Sequence, residues 1–355
     1  MCIVLLTTAH PDYSLIILDN RDEFILRPTS RPHWWSSHNQ EVLSARDLQR
    51  AEQGTWMGIT KTGNFAVLTN YRETDAEQPI QGTKSRGGMV TAWLESKDSE
   101  STEHFVHRML DEEGVAGIGG FSLLFGKLRK EKTGENVEPL GIISNRCDTS
   151  SDVPWIGQRR GEVYGLSNTL YDDPILWPKV EMGKELLSKV VEKAVSSNLN
   201  EEELVDLLYQ TLDTDTLPKN DGQEFEEYIY QLRKSIFIPA IGSAAPEAVP
   251  KADAIASANP EVASDSINHN EGIEKSKTTE KLIAEFRSTE APTPTPTSAP
   301  MTGIYGTQRQ TIILVDWEGN VTFRERALWD EEGNPIERGK GDMKFEFTIK
   351  GWHGE

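Results

Sequence analysis

The chain begins with two short apolar runs, and this pattern constrains its fold more than any other feature. Residues 2–8 (CIVLLTT) and 14–19 (SLIILD) are rich in leucine and β-branched residues, and a His-Pro-Asp turn separates them. Short apolar runs bounded by turn residues predict buried strands. Four polar residues, NRDE at 20–23, follow the second run directly. We therefore expect an opening β-hairpin with a polar end.

Antiparallel pairing of these strands predicts a register in which opposed residue numbers sum to about 23. Cys2 then lies opposite Arg21, with Asp22 one position away. A register slip of two residues would leave every side chain on the same face of the sheet. The pattern therefore predicts which residues are neighbours and not a defined contact. A thiol, a guanidinium and a carboxylate are expected together at one end of the hairpin.

Cys2 offers a specific chemistry at that position. Because its side chain is small, we expect Met1 to be removed, which leaves Cys2 with a free α-amine. That amine titrates near pH ~8 and can accept the thiol proton, so a terminal cysteine is nucleophile and base in one residue. We expect Arg21 to lower the thiol pKa and Asp22 to hold the ammonium. The alternative is that Cys2 is an ordinary core residue and that NRDE is a strand end with its charges in solvent.

Two other strands are predicted to end in asparagine, at Asn70 (VLTN) and Asn168 (GLSN). Acyl transfer needs N–H groups aimed at the developing oxyanion, and side-chain amides can supply them. Asparagine at a strand end is also a common turn former, so both interpretations stay open.

The remaining periodicity predicts an α+β chain. Further strands are predicted at 64–70, 121–126, 140–144, 162–166, 311–317, 320–326 and 343–349. Helices are predicted at 89–96, 102–110, 180–195 and 201–212, the last with Asn200 as its N-cap. Residues 243–300 contain a single aromatic residue and end in APTPTPTSAP, a composition typical of disorder. We expect one domain, 1–242 with 301–355, interrupted by a disordered insertion at 243–300.

Composition excludes several classes of function. The net charge of −20 argues against nucleic-acid binding, which needs a basic surface. No apolar run approaches the ~20 residues of a membrane span, and no secretory signal precedes the first strand. With two cysteines in 355 residues, a reducing compartment is expected. The sequence thus predicts a cytoplasmic chain without a transmembrane segment.

Several longer motifs occur along the chain. They are MCIVLL at the start, NRDEF followed by RP at 27–28, GTWMGIT at 54–60, VLTNYR at 67–72, YGLSN followed by WPKV at 177–180, and YGTQRQTIILVDWEGNVTFRER at 305–326. In these motifs the chain resembles the NRDE family, also called the transport-and-Golgi-organisation protein two family. The resemblance implies a fold similar to that of N-terminal nucleophile hydrolases, an αββα sandwich of two antiparallel sheets flanked by helices.

The same resemblance implies a catalytic site. Its members would be the nucleophile Cys2, the assisting carboxylate Asp22, and the assisting amides Asn70 and Asn168. Substrate contacts are expected from Asn20, Arg21, Glu23, Gln308 and Arg309.

The chain departs from the related amidases and from the family at two points. Related amidases carry an arginine two or three residues before the aspartate, where this chain has Asp19 and Asn20. The family's Tyr-Gly-Thr-Arg motif is Tyr-Gly-Thr-Gln-Arg here. Since one position along a strand reverses the face, Arg309 is expected to point away from the side that Gln308 occupies.

The family resemblance implies a role in Golgi organisation, protein secretion and trafficking, in association with the Golgi apparatus or mitochondria and with organelle or trafficking partners. One hypothesis is hydrolysis or transfer of an acyl group from an amide or thioester by Cys2, with no cofactor required. The alternative is a carrier of haem or an acyl lipid, in which Trp34, Trp35, Trp56 and Trp93 line a pocket. A third is a scaffold acting through the insertion.

His104 and His107, three residues apart on a predicted helix, are either a metal pair or a solvated face.

The predicted insertion can be tested by limited proteolysis. A chain that cannot bury enough surface to offset its ordering entropy should be cut first, so the earliest cleavages should fall between Ser243 and Pro300. Mass spectrometry of the first fragments identifies the sites. Early cleavage within 1–242, with 243–300 intact, would contradict the prediction.

Overall fold

Two antiparallel sheets pack against each other at the centre of the structure. The computed structural model describes residues 2–71, 85–112, 115, 118–131, 136–218, 230–242 and 303–353. Within these ranges the first sheet has six strands, in the spatial order β10 (Val163–Leu166), β1 (Ile3–Thr7), β2 (Tyr13–Phe24), β11 (Tyr305–Asp316), β12 (Asn320–Ala327) and β13 (Asp342–Thr348). The second sheet, counted over the same ranges, has seven strands, in the order β3 (His33–Ser37), β4 (Gln40–Ser44), β5 (Met57–Thr60), β6 (Asn64–Asn70), β7 (Phe121–Lys127), β8 (Leu140–Ser144) and β9 (Trp155–Ile156).

Helices cover the outer faces of both sheets. The described helices are α1 (Gly87–Leu94), α2 (Thr102–His107), which continues as a π-helical turn (Arg108–Glu112), α3 (Pro178–Ser197) and α4 (Glu201–Leu212). Short 3₁₀ turns occur at Ser150–Asp152 and Leu232–Lys234. Among the residues that the structure describes, no helix combines the length and the apolar content needed to cross a bilayer.

The layers follow from the alternation of side chains along each strand. In β1, Val4 and Leu6 enter the core between the sheets, whereas Ile3 packs against α3 and α4. In β6, Val67 enters the core between the sheets, whereas Ala66 packs with α1 and α2. Each sheet thus has one face on the other sheet and one face on helices. The predicted fold class, α+β with an αββα sandwich of two antiparallel sheets, is confirmed.

Element boundaries differ from prediction mainly where polar residues continue a buried strand. β2 runs through the NRDE segment to Phe24, and β11 begins six positions earlier than predicted, at Tyr305. Asn20 is fully buried and Asp22 is 5% exposed, so the alternative that NRDE is a strand end in solvent is wrong. The predicted insertion at 243–300 falls outside the described residues and stays a prediction.

Four strands were not predicted: β3, β4, β5 and β9. They have two to five residues each, and β5 is buried on both faces without any alternation. Such segments carry little periodic signal. The predicted helix at 102–110 ends as an α-helix at His107 and continues with π-helical hydrogen bonding.

The helix at 201–212 is confirmed with its predicted N-cap, and the contribution of that cap to the free energy of unfolding can be measured. The Asn200 side chain accepts from the Glu203 N–H, and the Glu203 carboxylate accepts from the Asn200 N–H. Asn200→Ala should therefore lower the free energy of unfolding by about 1 kcal/mol in urea titrations. Asn198→Gly is the matched control. Asn198 ends α3 at φ 50°, a conformation that glycine adopts freely, so stability should be kept. Equal stability of Asn200→Ala and wild type would contradict the prediction.

Candidate active site

The hairpin register places Cys2 where the sequence predicts it. Ile3 pairs with Asn20 and Val4 with Asp19, so opposed residue numbers sum to about 23 as expected. Cys2 is the next residue before this ladder, and its Sγ lies 3.9 Å from the main-chain oxygen of Asp22. Cys2 as a whole residue is partly exposed. The predicted neighbourhood of Cys2 and Asp22 is confirmed.

Asp22 points toward the helical layer and is held from several directions. Its Oδ1 accepts a 2.7 Å hydrogen bond from Thr307 Oγ1, and its main-chain oxygen accepts from Tyr305 Oη at 3.1 Å. The Nζ of Lys179, in the first turn of α3, lies 4.0 Å from Asp22 Oδ2, and both side chains are fully buried. The carboxylate is therefore fixed by groups from β11 and α3.

The two asparagines meet at the ends of β6 and β10, beside Cys2. Asn168 Nδ2 donates to the Asn70 carbonyl oxygen at 2.5 Å, and Ser167 Oγ donates to the Cys2 carbonyl oxygen at 2.7 Å. Thr69 Oγ1 donates to the Ser167 carbonyl oxygen at 2.7 Å, which ties the two strand ends together. Asn70 is exposed, and its side-chain amide forms no hydrogen bond with a described residue. The structure thus brings together the four residues predicted to be catalytic.

Gln308 and Arg309 share one side of β11 because the strand is bulged between them and Thr307. Thr307 pairs with Asp22 and Arg309 with Arg21, which leaves Gln308 as the extra residue. The Arg21 guanidinium donates to Gln308 Oε1, and Gln308 Nε2 donates to the Ile25 carbonyl oxygen at 2.9 Å. The expectation that the one-position offset turns Arg309 to the opposite face from Gln308 is wrong, since the bulge absorbs it.

Arg21 and Arg309 are held by buried contacts on the side between the sheets. Arg21 lies over the Trp56 ring, 4.2 Å from its centroid, and 3.9 Å from Glu23 Oε2. Arg309 is 5% exposed and donates from Nη1 to the Trp329 carbonyl oxygen at 3.0 Å. Both guanidinium groups are thus committed to internal partners.

Asn20 serves the fold. It is fully buried, and its Nδ2 donates to the carbonyl oxygens of Leu212 at 2.8 Å and Ile236 at 2.9 Å. It therefore ties the end of α4 and a following segment to the first sheet. The substrate contact predicted for Asn20 does not fit this position.

The electrostatic surroundings of the thiol differ from prediction. Burial raises the pKa of Cys2 to about 11, and the carboxylates of Asp22 and Asp19 add to the rise. The expectation of a lowered thiol pKa is wrong, because burial and the two carboxylates determine its direction and Arg21 is not among its causes. At neutral pH the thiol is protonated and needs a base before it can attack.

Sequence reasoning missed Lys179, Thr307 and Asp19 as members of this group. Lys179 and Thr307 lie within recognised motifs, but nothing in those motifs signals a contact with Asp22. Asp19 lies on the same face of β2 as Arg21, and burial together with the Asp22 charge raises its pKa to about 8. The predicted hairpin register could have indicated this burial, because it pairs Asp19 with the apolar residue Val4.

The histidines and tryptophans singled out by the sequence do not converge. The side chains of His104 and His107 are 66% and 56% exposed and form a solvated helix face. Over the described ranges there is no cluster of three or more His, Cys, Asp or Glu side chains that could hold a metal ion. Trp93 and Trp35 pack in the layer between the second sheet and its helices, whereas Trp34 and Trp56 pack on the core between the sheets. The four tryptophans therefore do not line one pocket.

The family model described as "Transport and Golgi organisation 2" matches residues 1–330. The chain belongs to this family. A human relative named Transport and Golgi organization protein 2 homolog is 28% identical over 339 residues, which cover 95% of this chain and 94% of the relative. An uncharacterized protein from Saccharomyces cerevisiae is 30% identical over 230 residues, 61% of this chain and 70% of that protein. Among solved structures, the C2A mutant of conjugated bile acid hydrolase from Clostridium perfringens is similar at a TM-score of 0.38 and 9% identity, with 98% of each chain covered.

Asp19 should make the folding stability of this protein depend on pH. Its folded pKa of about 8 exceeds the unfolded value of about 4, so the folded chain keeps a proton that the unfolded chain releases between these values. This contribution to stability is complete below pH ~4 and is lost as the pH rises to ~8. Asp19→Asn should gain stability over wild type with rising pH, by up to about 1.4 kcal/mol per pH unit.

Urea titrations of both proteins from pH 4 to 8 measure this difference. Asp12→Asn, at the exposed turn of the same hairpin, is the control and should follow wild type. Parallel stability curves for Asp19→Asn and wild type would show that Asp19 is ionised in the folded chain.

Proposed function

We propose that this family member is an N-terminal cysteine hydrolase or acyltransferase that acts on an amide or thioester bond through Cys2. We further propose that it serves Golgi organisation, protein secretion and intracellular trafficking, from the cytoplasm and at the Golgi apparatus or mitochondria. The observation that carries the chemical proposal is the meeting of the ends of β1, β2, β6 and β10 around Cys2, whose thiol lies beside the Asp22 main-chain oxygen and whose carbonyl oxygen accepts from Ser167.

The proposed reaction starts with attack of Cys2 Sγ on the carbonyl carbon of the acyl donor. The C–S bond forms as the carbonyl electrons move to oxygen, and the thiol proton passes to the α-amine of Cys2. Collapse of this intermediate expels an amine or a thiol, which takes the proton from the α-ammonium. The product is a thioester on Cys2, from which water releases a carboxylic acid or a second nucleophile accepts the acyl group.

Removal of Met1 is part of this proposal, because the α-amine of Cys2 exists only afterwards. In the chain that carries Met1, burial raises the thiol pKa to about 11, so a nearby base is needed at neutral pH. An α-amine that titrates near pH ~8 is suited to this exchange. Asp22 is positioned by Thr307 and Lys179, and we propose that it orients the ammonium that forms.

We assign oxyanion stabilisation to the side-chain amide of Asn70. That amide is exposed and forms no hydrogen bond with any residue in the described part of the chain, which supports its use as a donor to substrate. Asn168 donates to the Asn70 carbonyl oxygen and so positions Asn70. We assign no substrate contact to Arg21, Gln308 and Arg309, because these side chains are engaged by partners within the protein. The substrate contact predicted for Glu23 stays a prediction.

The competing hypothesis is a carrier of haem or an acyl lipid, with haem as cargo and no turnover. The separation of the four tryptophans gives this hypothesis no support.

The test uses purified chain with a simple acyl thioester, S-acyl-N-acetylcysteamine, and a fatty acyl amide. Intact mass should show loss of Met1, and peptide mass spectrometry should find the acyl group on Cys2. Cys2→Ala should reduce release of the leaving group at least ~1,000-fold, whereas the matched control Cys147→Ala should retain it. Retention of Met1, or equal turnover by Cys2→Ala, would reject the proposal. Haem or acyl-lipid binding without turnover, unchanged in Cys2→Ala, would favour the carrier.

A further inference from the structure

Lys179 is a buried cation to which the proposed reaction assigns no chemical step. It lies in the first turn of α3, after Trp177 at the N-cap and Pro178 at the first helical position. Its side chain is fully buried, and its Nζ lies 4.0 Å from Asp22 Oδ2, which is equally buried. The pair joins the helical layer to β2, and the Cys2 Sγ lies 3.9 Å from the main-chain oxygen of the same Asp22.

This position is unfavourable for a positive charge. Burial lowers the Lys179 pKa, and the charge of Asp22 opposes that fall. The first turn of a helix carries partial positive charge, which repels an ammonium group. Apolar residues of similar size commonly fill such a space with equal or greater stability. The presence of a charge here therefore points to a role beyond packing.

The groups around the thiol indicate that role. Asp19 and Asp22 approach it from β2, and each carboxylate makes ionisation of the thiol harder. Tyr305 approaches from β11. Lys179 brings a positive charge from α3 that acts on both Asp22 and Cys2.

We propose that Lys179 is a positioning residue of the candidate site. Its ammonium group holds the Asp22 carboxylate on the helix-facing side of β2 and offsets the carboxylate charge beside Cys2, so that the thiolate can form. The catalytic meaning of this inference rests on the proposed function. Its readout, the reactivity of the thiol itself, needs no acyl substrate.

The experiment measures the rate of alkylation of Cys2 by iodoacetamide between about pH 6 and 8, followed by intact mass, in a Cys147→Ser background. In this range, well below the thiol pKa, the rate follows the small thiolate fraction. Lys179→Met should shift the rate profile about ten-fold lower, because the positive charge 4.0 Å from Asp22 Oδ2 is lost. Lys179→Arg keeps the charge and should stay within about three-fold of wild type.

Lys189→Gln, at an exposed position of the same helix, is the matched control and should follow wild type. An unshifted Lys179→Met profile would overturn the inference. An equal shift in Lys179→Arg would also overturn it, because the shape of the side chain and not its charge would then determine the reactivity of the thiol. If Lys179→Met does not fold, the double variant Asp22→Asn with Lys179→Met decides. A folded double variant that is labelled at a rate near that of wild type supports charge compensation, and a double variant that is labelled more slowly or fails to fold overturns it.

The two proposals fail in different ways. Absence of acyl transfer with a shifted Lys179→Met profile would reject the hydrolase and keep the charge role of Lys179. Acyl transfer on Cys2 with an unshifted profile would keep the hydrolase and reject the role of Lys179.

Discussion

The antiparallel pairing of β1 with β2 is the interaction on which the rest of the structure depends. β2 lies inside its sheet, between β1 and β11, and both of its faces are covered. A strand in such a position is normally apolar throughout, yet its second half is the polar run NRDE. Buried polar groups need partners within the protein. Those partners, drawn from β11 and α3, are largely the residues of the candidate site.

Alternation along β2 divides these charges between two environments. Asp19 and Arg21 face the space between the sheets, whereas Asn20 and Asp22 face the helices. The Cys2 thiol lies at the main-chain oxygen of Asp22, at the boundary of both environments. It is therefore influenced by Asp19 on one side of the sheet and by the Asp22–Lys179 pair on the other. The ionisation of a thiol in this setting depends on the balance between the buried positive and negative charges around it.

The sequence predicted those parts of the molecule that depend on local patterns. The Cys2–Asp22 neighbourhood follows from the position of one turn, because a hairpin register is determined by its turn. The long helices follow from their apolar period, and the cap of α4 from Asn200. The contact of Lys179 with Asp22 was not predictable, since it arises where a helix packs on a strand far away in the chain. The bulge at Gln308 could not be predicted either. The sequence shows one extra residue, but it does not show whether the strand absorbs that residue as a bulge or reverses the faces that follow.

The place of β11 in the first sheet has a consequence for how the chain reaches its native state. β11 lies in the middle of that sheet although it is synthesised late, and Ser14 of β2 bonds Val315 of β11 across a separation of 301 residues. Until β11 emerges from the ribosome, β2 has an open edge of unpaired backbone groups. Such edges favour aggregation, and pairing over long sequence distances is slow. Nascent chains of this protein are therefore expected to depend on chaperones for most of their synthesis.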